Sequence, residues 1–136
     1  MVHPILVSHG SFAAGMREAM DMIAGGADRL SVLGLYPGDT VEDFARKLED
    51  IVDLYEDPRS VLILADLPLG TPANVAKAMA LKKGVSVVSG CSLPVLLEAM
   101  SRLQEETAES LAAIVTQAGR DSVENFADVR EKADEK

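Results

Sequence analysis

Cysteine is nearly absent from this sequence of 136 residues, and there is no tryptophan. The single cysteine, Cys91, excludes an intramolecular disulfide and a clustered-thiolate metal site. Aromatic residues make up only 4% of the chain, too few for the stacking platforms that bind single-stranded nucleic acid. The 13 Lys and Arg residues are outnumbered by 22 Asp and Glu residues and form no cluster, which argues against a nucleic-acid or anionic-membrane surface.

Long apolar runs are also missing. No segment approaches the roughly 20 apolar residues of a membrane span, and the apolar start reaches His9 too soon for a signal sequence. We therefore expect a cytoplasmic protein without direct membrane insertion. The length fits one domain, since roughly 100 to 150 residues is the commonest domain size. We assign residues 1–130 to that domain and 131–136 to a charged, frayed tail.

Apolar runs and helical segments alternate along the chain. The runs do not alternate polar with apolar residues, which is typical of strands covered on both faces; they are 5–8, 30–35, 60–66 and 85–89. Helical spacing follows Ser11 as N-cap, resumes at Val41, and begins again where Thr71 caps a third helix. Two more helices are predicted, from 94 to about 102 and from 107 to a break at Gly119.

The order βαβαβαβ, followed by helices, predicts an α/β fold. We expect a single doubly wound domain with a parallel sheet of four strands in the order 2-1-3-4 and helices on both faces. The charged C-terminal region predicts a short helix or an extra antiparallel edge strand. Ligands bind such sheets beyond the carboxyl ends of the strands, at the switch point between strands one and three. The loops that meet there are residues 8–11 and 66–72.

His9 and Asp66 lie on these two loops. His9 alone is equally well explained as a loop histidine bonded to backbone. Asp66 ends the neighbouring strand, about 4.8 Å away, so its carboxylate can reach a ring nitrogen of His9. It could instead cap the next helix, but Thr71 is predicted to do so. The pairing would fix the tautomer and leave the other nitrogen free as a nucleophile, a base or a metal ligand.

Gly70 and Thr71 place a hydroxyl and free amides at the same end of the sheet. A helix N-terminus of this kind suits a phosphoryl group, although ordinary capping would explain the residues equally well. Together with His9 and Asp66 they describe a histidine that carries phosphate. ATP is disfavoured as donor because the chain has no P-loop, no G-x-G-x-x-G fingerprint and no second carboxylate beside His9 for Mg²⁺. His3 is expected at the opposite end of the sheet, which disfavours serine-hydrolase chemistry.

Four motifs resemble the IIA component of the mannose-family phosphoenolpyruvate-dependent sugar phosphotransferase system. They are Ile-Leu-Val-Ser-His-Gly at 5–10, Tyr-Pro-Gly-Asp at 36–39, Gly-Thr-Pro-Ala-Asn at 70–74 and Gly-Cys-Ser-Leu-Pro at 90–94. The resemblance covers about residues 1–130 in order and spacing. Where the family commonly has two glycines before Ser/Thr-Pro, this chain has Leu69 and Gly70, preceded by an unusual Pro68.

The resemblance implies a function for each site residue. His9 would accept phosphate from the carrier protein HPr and pass it to the IIB component, while Asp66 orients its ring. Gly10, Gly70 and Thr71 would hold the phosphoryl oxygens. No metal or other cofactor is implied, and the protein is expected to be a homodimer that exchanges its C-terminal region between subunits.

Three alternatives remain at this point. The phosphoryl-carrier subunit of a dihydroxyacetone kinase is similar but typically lacks the Gly-Thr-Pro-Ala-Asn pattern. A receiver domain would place its acceptor at Asp66, yet Ser-His-Gly replaces the acidic pair that Mg²⁺ requires. A flavodoxin-like regulatory module would leave His9 inert.

An apolar partner surface around His9 is a further prediction. Phe12, Leu67 and Leu69 lie on the two site loops, and a small apolar patch suits weak binding of two partners in turn. The same residues could instead seal the loops against the sheet.

Overall fold

The sheet of this protein has four parallel strands in the order β2-β1-β3-β4. A computed structural model describes residues 1–134. Its strands are β1 (His3–His9), β2 (Ser31–Leu35), β3 (Val61–Ala65) and β4 (Ser86–Ser89). The predicted α/β class and strand order are confirmed.

Six helices follow the strands or close the described chain. They are α1 (Phe12–Ala24), α2 (Val41–Val52), α3 (Thr71–Lys83), α4 (Leu93–Ser101), α5 (Ala108–Asp121) and α6 (Phe126–Asp134). Short 3₁₀ turns precede β2 and β3. Within residues 1–134, no helix combines the length and the apolar character that crossing a membrane requires.

The core has two parts, one on each face of the sheet. Side chains of a strand point alternately to opposite faces, so Leu62 and Leu64 of β3 pack with α1, α4 and α5. Ile63 and Ala65 of the same strand pack with α2 and α3. All five residues of β3 are buried, which explains why its sequence shows no polar alternation.

The predicted caps of α1 and α3 need correction. Ser11 occupies the N-cap position of α1 without a capping bond, and the buried Ser8 hydroxyl instead accepts the Ala13 N–H at 2.8 Å. Gly70, not Thr71, is the N-cap of α3, and it makes no side-chain capping bond. Gly70 has a φ of 107° and a ψ of 171°, a conformation that only glycine adopts readily.

Gly119 does not break the fifth helix, as the sequence had suggested. The helix α5 continues through Gly119 to Asp121. A β-carbon on Gly119 would lie 2.8 Å from Cγ2 of Val95 on α4. The glycine therefore lets α5 pack closely against α4 rather than ending the helix.

The C-terminal region forms a helix, so the alternative of an antiparallel edge strand is wrong for the residues the structure describes. Asn125 stands at the start of this helix, where its Oδ1 accepts the Ala127 N–H at 3.0 Å in the manner of an N-cap. Helix α6 includes residues 131–134 of the segment expected to fray. The rest of that segment, 135 and 136, lies outside the described residues.

Candidate functional site

The carboxyl ends of β1 and β3 bring His9 and Asp66 together. His9 is the last residue of β1, and Asp66 directly follows β3. The strands are paired so that Val7 lies opposite Ala65, and the Asp66 N–H donates to the Val7 carbonyl at 3.2 Å. The parallel register therefore delivers both side chains to one edge of the sheet.

The Asp66 carboxylate fixes the position of His9 through two contacts. Its Oδ2 lies 2.8 Å from Nδ1 of the ring and accepts the His9 backbone N–H at 2.9 Å. Its Oδ1 accepts the Leu67 N–H at 2.9 Å. In a neutral ring this carboxylate favours the proton on Nδ1, which leaves the Nε2 lone pair free.

Asp66 is held as a carboxylate although it is largely enclosed. Its side chain is 10% exposed, against 48% for His9. Burial alone would raise the pKa of Asp66, but the bonds from the His9 amide, the His9 ring and the Leu67 amide outweigh it. The net result is a pKa below the ordinary value, because each bond stabilises the charged form.

Gly70 lies against the free edge of the imidazole. A β-carbon at this position would be 3.1 Å from Cε1 of His9 and 3.3 Å from Nε2. Thr71 follows as the first residue of α3. The first N–H groups of a helix have no partner within it, so the start of α3 offers donors beside His9.

The loop after β1 is built around two residues that the sequence analysis did not select. The Ser8 hydroxyl caps α1 from beneath this loop. A β-carbon on Gly34 of β2 would collide with the Gly10 carbonyl oxygen. The sequence does contain a signal for each of them. Ser8 is a hydroxyl residue at the end of an apolar run, and Gly34 is a glycine inside a strand, which often marks a close approach of another backbone.

Gly10 contributes to the shape of this loop. It has a φ of +52°, and its N–H donates to the Leu35 carbonyl at 2.7 Å. That amide is already bonded, so the predicted contact of Gly10 with phosphate cannot use it without breaking the link to β2.

The apolar residues of the site loops face outward. Phe12 is 50% exposed, Leu67 54% and Leu69 77%. The alternative that they seal the loops against the sheet therefore fails. Phe12 and Leu67 line an open pocket of about 400 Å³ with His9 and Asp66, and Leu69 is not part of that lining.

Two other residues with reactive side chains, Cys91 and His3, do not belong to the His9 site. Cys91 is buried behind the site, and burial together with the negative charge of Asp66 raises the pKa of its thiol to about 12. His3 stacks on Tyr55 with 4.0 Å between the ring centroids, at the start of β1. Among the side chains that the structure describes, no group of three or more from His, Cys, Asp or Glu is placed to hold a metal ion.

Comparisons with known proteins show which family this chain is similar to. The family model EIIA-man, described as the PTS system fructose IIA component, matches residues 4–116. The chain is 34% identical over 112 residues to a sorbose-specific EIIA component from Klebsiella pneumoniae, covering 82% of each chain. It is 34% identical over 95 residues to the sorbose-specific EIIA component of Lacticaseibacillus casei, covering 69% of this chain and 68% of that one.

The fold is similar to that of a solved relative. The mannose/sorbose-specific IIA subunit of the phosphotransferase system from Enterococcus faecalis superimposes with a TM-score of 0.85 at 30% identity. The match covers 91% of this chain and 93% of that one.

Proposed function

The chain belongs to the EIIA-man family of phosphotransferase-system IIA components, and from this premise we propose that His9 carries a phosphoryl group between two proteins. The donor would be the phosphohistidine of HPr and the acceptor the IIB component of the same system. As a member of this family the chain is a phosphotransferase component of sugar transport. Its cytoplasmic location stays a prediction.

The contact between Asp66 and His9 is the observation that carries the proposal. With Nδ1 bonded to Oδ2 at 2.8 Å, the nucleophile is Nε2. Its lone pair attacks the phosphorus as the donor P–N bond breaks, and the donor nitrogen keeps that electron pair. The ring then carries a positive charge, which the adjacent Asp66 carboxylate stabilises. Attack by IIB on the same phosphorus reverses these changes.

Three features support a phosphoryl group at Nε2. The start of α3 supplies amide donors, Thr71 adds a hydroxyl, and Gly70 leaves space because it lacks a side chain. Phosphoryl transfer is mainly a matter of positioning and charge stabilisation, and these three features support both at Nε2.

The exposed apolar residues provide the proposed docking surface. Phe12 and Leu67 line the open pocket at His9, Leu69 lies on the same loop as Leu67, and all three are at least half exposed. A small apolar surface suits a carrier that must release each partner after transfer.

We also propose a homodimer built through the C-terminal third of the chain. In the part of the chain that the structure describes, β4 has no strand on its outer side. An apolar groove of about 340 Å³ runs beside it and includes Val88, Val95 and Val115. Phe126 and Val129 of α6 are exposed by 72% and 41%, and a second subunit would cover such surfaces.

Incubation with phosphoenolpyruvate, its phosphotransferase and HPr tests the phosphoryl transfer. We expect an acid-labile, base-stable label on the wild-type protein and none on His9→Ala, with the fold of the variant unchanged because His9 is exposed. Phosphorus NMR is expected to place the phosphate on Nε2. A hydroxylamine-labile label would instead assign Asp66 as acceptor, and normal labelling of His9→Ala would end the proposal.

The family match favours sugar transport over the dihydroxyacetone-kinase alternative, because the matching description is that of a PTS IIA component. Transfer of the label to IIB separates the carrier function from an inert regulatory module.

A further inference from the structure

We propose that Lys77 is a positioning residue, which holds the loop of residues 67–70 in place beside His9. Its Nζ donates a hydrogen bond to the Pro68 carbonyl at 2.7 Å. The inference rests on the proposed function only in so far as it concerns the rate of phosphoryl transfer.

The loop has little hydrophobic packing to hold it. Leu67 and Leu69 are exposed by 54% and 77%, so their side chains do not anchor the backbone in the core. The path of the loop must therefore depend on hydrogen bonds to its main chain.

Those hydrogen bonds come from both sides of Pro68. Asp66 Oδ1 accepts the Leu67 N–H at 2.9 Å, and the Gly70 carbonyl accepts the Asn74 N–H at 2.9 Å. Between these points, Lys77 reaches Pro68 from the second turn of α3. Helical side chains point toward the N-terminus of their helix, which directs the lysine stem to this loop.

The position of the loop matters because Gly70, its last residue, lies against the His9 ring. A β-carbon at Gly70 would lie 3.3 Å from Nε2 of His9, so small movements of this backbone change the space around the nucleophile. A hydrogen bond from an ammonium group to a carbonyl is stronger than one between two neutral groups. The bond from Lys77 therefore favours one conformation of the loop over its alternatives. We infer that Lys77 acts on His9 through the backbone of residues 68–70.

The test compares Lys77→Met with Lys77→Arg, which keeps a donor and a positive charge. Lys47→Met, on the exposed face of α2, is the matched control for removing one helical lysine. Proton–nitrogen NMR of the free protein reports on the amides of residues 67, 69 and 70 and on the His9 Cε1 proton. Transfer from phospho-HPr is measured on the same samples.

We expect Lys77→Met to shift these signals and to lower kcat by roughly 3- to 10-fold, with Lys77→Arg restoring most of both. Lys47→Met is expected to change neither. Unchanged signals in Lys77→Met overturn the proposal, and a raised KM without shifted signals assigns Lys77 to partner docking instead. Shifted signals with an unchanged rate overturn the positioning role. If the wild type accepts no phosphate, the proposed function fails, and the NMR signals still decide whether Lys77 holds the loop.

Discussion

Gly70 and His9 lie so close that a β-carbon on Gly70 would be 3.3 Å from Nε2 and 3.1 Å from Cε1 of the ring. The backbone of Gly70, with φ of 107° and ψ of 171°, is also a conformation that only glycine adopts readily. Both facts make this position intolerant of a side chain, for two separate physical reasons. The site therefore depends on the absence of a side chain at Gly70.

The variant Gly70→Ala tests the steric part of this relationship. We expect its rate of phosphoryl transfer from HPr to fall about 10- to 100-fold, because the methyl group crowds the nucleophile. Its free energy of unfolding is expected to fall by about 1–3 kcal/mol from backbone strain. Gly25→Ala is the matched control, since Gly25 has a similar backbone (φ 73°, ψ −176°) and a β-carbon there would meet no other atom within 4 Å. Equal transfer rates in the two variants would contradict the steric argument.

The Asp66 carboxylate sets the tautomer of His9, and Asp66→Asn tests that function. An amide cannot stabilise the positive ring as a carboxylate does, so we expect transfer to slow roughly 10- to 100-fold. Circular dichroism is expected to show an intact fold. Phosphorus NMR of residual phosphorylated variant then shows whether Nε2 is still the only acceptor, and phosphate on Nδ1 of the wild type would refute the tautomer assignment.

The lowered pKa of Asp66 predicts a pH dependence of stability. The unfolded carboxyl titrates near its ordinary value of 3.8, and the folded one titrates below it. Between these two values the unfolded chain binds more protons, so stability rises with pH there. The stabilisation by Asp66 is complete above the unfolded pKa and is lost as pH falls through the folded one.

Thermal unfolding at several pH values measures this effect. The difference in melting temperature between wild type and Asp66→Asn is expected to be larger at pH 7 than at pH 3. Asp28→Asn, at an exposed position before β2, controls for the loss of one carboxylate. A difference that grows on acidification would contradict the lowered pKa.

The strand order and the meeting of His9 with Asp66 could be predicted because periodicity gives the alternation of strands and helices, and the doubly wound fold then gives the order of the strands. Four non-alternating apolar runs indicate buried parallel strands, and parallel strands end at one edge of a sheet. His9 and Asp66 therefore meet because each lies at the carboxyl end of one of two neighbouring strands.

The caps and the close contacts could not be predicted in the same way. Ser11 and Thr71 satisfy the local rule for an N-cap, yet Ser8 supplies the bond at α1 and Gly70 stands at the start of α3. Gly119 satisfies the rule for a helix stop, but packing against Val95 explains it. Tertiary packing, which single-sequence patterns do not contain, decides the role of Gly119. The two caps depend on the backbone geometry of the loops that lead into α1 and α3, which the local rule does not describe either.

Leu69 tests the proposed docking surface. At 77% exposure, Leu69→Asp removes no core packing, so we expect little change in melting temperature. The KM for phospho-HPr is expected to rise about tenfold, because the new charge must be desolvated at the interface. Leu81→Asp, at 92% exposure on α3, is the matched control and is expected to leave the KM unchanged. Equal effects of the two variants would show that Leu69 lies outside the interface.

The C-terminal helix tests the proposed dimer. Because α5 continues to Asp121, a chain ending after Ser122 keeps that helix whole and removes α6. We expect the full chain to be a dimer by light scattering and the shortened chain to be a folded monomer. The loss of the exposed apolar residues Phe126 and Val129 from the interface is the physical reason.

Point variants separate an interface from a general effect of truncation on solubility. Phe126→Ser combined with Val129→Ser keeps the chain length, and both residues are exposed in the single subunit, so its fold is expected to be unchanged. We expect the dimer dissociation constant to rise at least about tenfold, since each buried apolar side chain contributes about 1.5–3 kcal/mol. Leu81→Ser, on α3, is expected to leave it unchanged. A double variant that is as dimeric as the wild type would refute the C-terminal interface, because the exposed apolar face of α6 would then contribute nothing to association.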